Sequence, residues 1–165
     1  MEDCLPSDCV TFKREMEQDD NMTMTKSFFK GSPRKKMDQI WLIRTTGIEK
    51  SSLDRYVELH KSQCAVDCEK GRTAILIYDL RTITNVENNW LATCRSFVQM
   101  HMDLAPMYDA WLKCVFIVSN SDVVCTTLHT VFSTMWAPTR PLKIVSDARE
   151  LQAELKKIAA ASDCA

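Results

Sequence analysis

The stretch RTAILIYDLRTITNV, Arg72–Val86, decides the fold of this chain. Its first half, Thr73–Tyr78, is a short run of Ile, Leu and aromatic residues, preceded by Gly71 and closed by Asp79. A continuous apolar run of that length, without clean alternation, predicts a strand buried on both faces. A polar turn follows, and then an amphipathic helix. Strand, turn and helix in that order make half of a β-α-β unit, and the chain repeats the pattern.

On the N-terminal side of this stretch, Gln39–Arg44 (QIWLIR) reads as another strand, ended by Thr45, Thr46 and Gly47. Ser51 or Ser52 is suited to cap the helix between the two strands. Leu53, Tyr56, Val57, His60 and Cys64 recur in that helix at helical spacing. On the C-terminal side a helix starts near Val86. Trp90, Leu91, Cys94, Phe97, Val98, His101 and Met102 form its apolar stripe, and Pro106 interrupts it before one further turn over Met107–Leu112. Cys114–Val118 (CVFIV) is a third buried strand, and Ser119–Asp122 (SNSD) an N-cap signal. Val124, Thr127, Leu128, Val131, Phe132 and Met135 make the next stripe, which Pro138 stops. Leu142–Val145 is a fourth strand. Asp147 caps a last helix that turns Leu151, Leu155 and Ile158 inward, and residues 161–165 read as a frayed tail.

The first part of the chain carries a weaker signal. Residues 1–21 are polar, mixed in charge and aperiodic, and read as poorly ordered, with a short helix over Thr11–Glu17 as their one regular element. Residues 22–36 read as an edge strand and a basic turn. Met22–Phe29 forms an antiparallel hairpin with QIWLIR, Lys26 and Lys30 suit an exposed edge, and Gly31–Lys36 turns. The expectation is an α/β fold: a single domain over residues 37–160, with repeated β-α units. Its mainly parallel, four- to five-stranded sheet is flanked by helices on right-handed crossovers.

Composition narrows the function classes. The 165 residues suit one ordinary domain. A net charge of −1 argues against a nucleic-acid surface built on bulk charge. No apolar run is long enough to span a bilayer, so no transmembrane segment is expected. The opening MEDCLPSDCV is acidic and lacks the apolar core of a secretory signal. That points to a cytoplasmic location, with the eight cysteines as reduced thiols.

The run from Ile40 to Leu155 resembles the STAS domain, the fold of bacterial anti-sigma-factor antagonists. IRTTGIEKSSLDRYVEL stands where that family has a strand ending in Gly and a Leu-rich helix. AILIYDLRTI stands where it has a strand ending in Asp-Leu-x-x-Val/Ile. Gly47, Leu53, Asp79, Leu80 and Ile83 carry the resemblance. It implies a regulatory protein-interaction module. Where the family has its phosphorylatable Ser or Thr, this chain reads Glu87, Asn88, Asn89 and Trp90, so the switch serine is lacking and Thr82 and Thr84 are the hydroxyls left nearby. The run from Leu104 to Pro138, followed by KIVSD, is also similar to the CRAL-TRIO lipid-binding fold, which implies a lipid or other hydrophobic ligand.

Candidate sites are few. His60, Cys64 and Cys68 lie at i, i+4 and i+8 on one helical line, and zinc accepts both residue types. A fourth ligand is missing, so no metal is expected. His101 falls in an apolar stripe and reads as a core histidine, and His129 as a surface one. There is no GxSxG, Walker or GxGxxG motif, and three glycines leave no Gly-rich phosphate cradle. No catalytic residue and no cofactor are therefore assigned, and an enzyme is not expected. Met100, Met102 and Met107 with Trp111 are either core filler at a helix end or a soft partner surface. Topology supplies one further group. In an open parallel sheet, ligands and partners meet the carboxyl ends of the strands. There lie Asp79, Arg81, Thr82, Thr84, Glu87, Asn88, Asn120 and Ser121, the expected interaction face. Arg81 is its one long permanent cation, able to fork onto a partner's carboxylate or phosphate. The expected function is a non-enzymatic protein-interaction or regulatory module. A small lipid-binding protein and an enzyme with an unrecognised site stand as the alternatives.

Overall fold

The structure is a computed structural model. It describes residues 3–7, 9–14, 22–29, 39–48, 50–83, 89–136 and 138–163. The elements in chain order are β1 (Cys9–Arg14), β2 (Met22–Phe29), β3 (Gln39–Thr45), α1 (Lys50–Glu69), β4 (Ala74–Asp79), α2 (Trp90–Trp111), β5 (Leu112–Val118), α3 (Asp122–Met135), β6 (Leu142–Val145) and α4 (Ala148–Asp163). The architecture is α/β, with one mixed sheet flanked by helices.

The sheet holds six strands in the order β1-β2-β3-β4-β5-β6. Strand β2 runs antiparallel to β1 and β3, and β3 to β6 run parallel. Each parallel strand lies beside its predecessor, so right-handed crossovers deliver α1, α2 and α3 to the same face. There Leu53 and Tyr56 of α1, Phe97 and Trp111 of α2, and Leu128 and Phe132 of α3 pack on Trp41, Leu76, Tyr78 and Ile117. Helix α4 leaves the last strand for the opposite face, where Leu151 and Leu155 join Ile75, Ile77, Phe116 and Cys4. Every residue of β4 is buried, as its unbroken apolar run requires.

Several expectations change. Helix α1 begins at Lys50, so Ser51 and Ser52 fall inside its first turn and not at its cap. A strand, Cys9–Arg14, occupies part of the segment expected to be poorly ordered or briefly helical. It pairs with β2 across a register shift between Thr11 and Lys13. This makes the sheet one strand wider than expected and turns β2 from an edge into an interior strand. Helix α2 runs through Pro106 to Trp111 without ending there. Proline costs a helix one donor, and burial of Leu104, Tyr108 and Trp111 on both sides of it offsets that loss. Helix α4 continues to Asp163, into the segment 161–165 expected to fray. The basic turn at 31–36 lies outside the described residues.

The interior place of β2 has an electrostatic consequence. Lys26, expected at an exposed edge, is 4% exposed. Its Nζ lies 3.6 Å from Asp67 Oδ1, near the end of α1, and donates to Gln63 Oε1 at 3.2 Å. The same ammonium sits 4.3 Å above the Trp41 ring. Trp111 Nε1 donates to the other Asp67 oxygen at 3.3 Å. One buried carboxylate thus joins β2, α1 and the end of α2. Removing one member of such a pair leaves a buried charge uncompensated. Asp67→Ala should lower unfolding stability by about 3–5 kcal/mol in urea denaturation, and adding Lys26→Met should recover part of the loss. A cost under about 1 kcal/mol would show that Lys26 reaches water.

Candidate functional site

The carboxyl ends of the parallel strands are built around Asp79, the last residue of β4. Arg81, two residues on, turns back and forks onto it: Nε donates to Oδ1 and Nη2 to Oδ2, both at 2.9 Å. The Arg81 backbone N–H adds a third bond to Oδ1 at 3.2 Å. Arg44 of β3 approaches Oδ2 at 3.4 Å from the solvent side. The N-terminal segment lies across this site. Cys4 is fully buried, its thiol donating to Asp79 Oδ2 at 3.5 Å and its sulfur accepting from Arg81 Nη2 at 3.1 Å. Asp3 pairs with Arg44 at 3.5 Å, and its carbonyl accepts from Gln152 of α4 at 2.6 Å.

Burial pushes the Asp79 carboxyl up, but the bonds and charge of Arg81, with the Cys4 thiol, outweigh it and hold the group below its usual range. Burial, then the Asp79 charge, pushes the Cys4 thiol up to about 12, so it is not a reactive thiolate. The expected interaction face is therefore only partly open. Arg81 commits its fork to Asp79, and both are buried. Thr82 is exposed, with its hydroxyl donating to the Thr45 carbonyl at 2.8 Å. Asn120 is exposed, and Ser121 caps α3 by accepting from the Val124 N–H at 3.4 Å. Thr84, Glu87 and Asn88 lie outside the described residues.

A second polar group sits inside the main core. His60 Nδ1 lies 2.5 Å from Tyr56 Oη, which accepts from Tyr78 Oη at 2.8 Å. His101 Nδ1 lies 3.4 Å from Tyr108 Oη. The Nε2 atoms of both histidines are buried without a partner. Burial, with the charge of His101 second, pulls His60 down to about 3, and burial pulls His101 to about 3. Both rings are neutral. His60 thus faces aromatic residues of the core. Cys64 and Cys68 touch each other, their sulfurs 3.8 Å apart. Among the described residues no three metal-ligating side chains gather, and neither buried histidine hydrogen-bonds to a carboxylate. Met100 is buried and Met102 and Met107 half-buried on the main core, which also holds Trp111.

Sequence reasoning did not anticipate the hollow at the β6 border of the sheet. An open groove of about 710 Å³ runs between the second half of α3 and β6. Phe132, Trp136, Pro138, Leu142 and Ile144 form its floor, and His129 and Ser133 its α3 wall. A narrow cavity of about 10 Å³ shares Trp136, Pro138 and Leu142 with it and reaches in to His101, Tyr108 and Arg140. A second open groove, of about 420 Å³, lies between α1 and α2 beside Met100. The sequence shows the ingredients of the first groove, Trp136 and Pro138 directly after α3 and a β6 of only four residues, but not that they lie side by side. No helix among the described residues is long and apolar enough to cross a membrane. No protein-family model, curated protein or solved structure matches this chain.

Both buried groups have consequences for stability. Arg81→Ala leaves Asp79 buried beside Cys4 without its fork, and should cost about 3–5 kcal/mol by chemical denaturation, far more than an exposed turn residue. A change below about 0.5 kcal/mol would mean that Arg81 is solvated. For the histidines, the unfolded rings titrate near 6.5 and the folded ones near 3. Below 6.5 the unfolded state binds protons that the folded state excludes, so stability falls as pH falls, until the folded rings themselves protonate. Between about pH 6.5 and 5, where ordinary carboxylates stay ionised, each ring should cost up to about 1.4 kcal/mol per pH unit. His60→Gln with His101→Gln should flatten that slope in urea melts, and a flat wild-type profile would contradict neutral burial.

Proposed function

We propose that this chain is a non-enzymatic protein-interaction module, a STAS-like α/β domain without the switch serine, and that it docks its partner in the α3–β6 groove. The observation that carries the reading is the groove itself. It is large and floored by half-buried Trp136, Leu142 and Ile144, and an apolar floor of that size is characteristic of binding surfaces. The strand-end face supports docking less well, because Arg81 and Asp79 neutralise each other beneath Cys4. A lipid is the weaker reading, since an acyl chain lying in an open groove keeps one flank in water.

The test places a photoreactive amino acid at Ser133, on the groove wall, or at exposed Arg149, on α4. A discrete protein adduct at Ser133 and none at Arg149 is the expected result. Equal labelling at both positions, or lipid carried by the purified chain in native mass spectrometry and displaced by Ser133→Arg, would overturn the reading.

A further inference from the structure

The groove is bordered by a strand with one open edge. Among the described residues β6 is the last strand of the sheet and pairs only with β5. The Val115 N–H donates to the Pro141 carbonyl and the Ser119 N–H to the Val145 carbonyl. Parallel ladders engage alternate residues, so 141, 143 and 145 face β5, and the N–H and C=O groups of Leu142 and Ile144 point outward. The side chains of these same two residues line the groove floor. Lys143 also borders the groove, with its ammonium engaged by Glu154 at 2.7 Å and Glu150 at 3.8 Å on α4.

Charge is present at one end. Arg140 Nη2 donates to the Asp109 carbonyl, whereas its Nε is buried without a partner. No carboxylate among the described residues pairs with this guanidinium; the Asp109 side chain accepts from Thr139 at 3.1 Å. Arg140 lines the narrow cavity that shares three residues with the groove, two positions before the free amide of Leu142.

The geometry points to an extended, acidic peptide segment of a partner protein as the occupant, added to the sheet as a seventh strand along β6. Resting on the groove reading above, this assigns three recognition elements. The outward amides and carbonyls of Leu142 and Ile144 supply the main-chain ladder. Alternate apolar side chains of the peptide settle on Trp136, Pro138 and Leu142. An aspartate or glutamate at one end meets the Arg140 guanidinium, satisfying the donor now buried without a partner. Main-chain bonding gives such additions affinity and alternate pockets give them specificity.

The test selects random dodecapeptides displayed on phage against the full chain, with Ser133→Arg as the counter-selection. The expected binders alternate apolar residues, carry an acidic residue near one end and lack proline in the paired stretch. A selected peptide, made synthetically, should protect the amides of Leu142 and Ile144 from hydrogen exchange. Methylating its alternate backbone nitrogens should abolish binding. Arg140→Glu should weaken it by at least about tenfold, with a thermal melt confirming that the variant is folded. Peptides with apolar residues at i and i+4, proline-rich peptides, basic peptides, or binding without protection of the two amides would refute strand addition and leave the groove standing. Failure to enrich any peptide over Ser133→Arg would remove both readings.

Discussion

Every residue of β4 is buried, and this constraint governs the polar groups around it. A strand covered on both faces obliges each polar side chain at its borders to find a partner inside the protein. Tyr78 does so through Tyr56, and Tyr56 through His60. Asp79 does so through Arg81, Cys4 and Arg44. Further out, Lys26 and Asp67 solve the same problem for β2 and α1. These partnerships determine which charges remain for outside use. At the strand ends, among the described residues, Arg81 is committed to Asp79 and Arg44 is shared between Asp79 and Asp3. At the β6 border Arg140 has a backbone carbonyl to bind and no carboxylate among the described residues.

The parts of the fold governed by periodicity were legible in the sequence. QIWLIR, the apolar run at 74–79, CVFIV and LKIV became strands, and the stripes of α1, α2 and α3 faced the core except at Leu91, which is exposed near the start of α2. Ser121 and Asp147 capped helices as their positions suggest, Asp147 by accepting from the Glu150 N–H at 2.8 Å. The departures came where tertiary pairing overrides local pattern. Cys9–Arg14 has β-forming residues, but its strand exists because β2 offers a ladder. Lys26 reads as a solvent residue until β1 covers the edge, and Arg81 reads as a free cation until Asp79 is seen to be buried. Proline at 106 predicts an interruption before one further turn, yet the stripe that begins at Cys94 and Phe97 continues through buried Leu104, Tyr108 and Trp111 and holds α2 together as one helix. The candidate site was less legible than the fold. A groove arises from the offset between a helix and a short border strand, and neither Trp136 nor Leu142 announces in sequence that the two lie side by side. Topology marked the strand-end residues as neighbours, but it carries no information on which of them neutralise one another.

The two borders of the sheet differ in chemistry. β1 carries the register shift at Thr11/Lys13, a device that discourages pairing with a further strand. β6 is regular over its four residues, with Pro141 before it and Lys143 in its middle. Its short length limits indiscriminate pairing, and the adjoining apolar floor and Arg140 restrict pairing to segments of one composition. An open border of this kind is compatible with selectivity because the backbone ladder and the side-chain floor have to be satisfied together.

The seat of Cys4 makes the strand-end region observable in the native protein. The thiol is sealed against Arg81 and Asp79, and the same short segment is tied to α4 through the Asp3 carbonyl and Gln152. A thiol reagent reaches this sulfur only when the segment lifts, so its modification rate, compared with that of exposed Cys68, reads the free energy of that local opening directly. Opening of this segment and global unfolding can then be separated by denaturant dependence, since a local event exposes little surface and a global one exposes much. The chain thereby contains its own probe for whether the N-terminal segment and the last helix move as one cooperative unit.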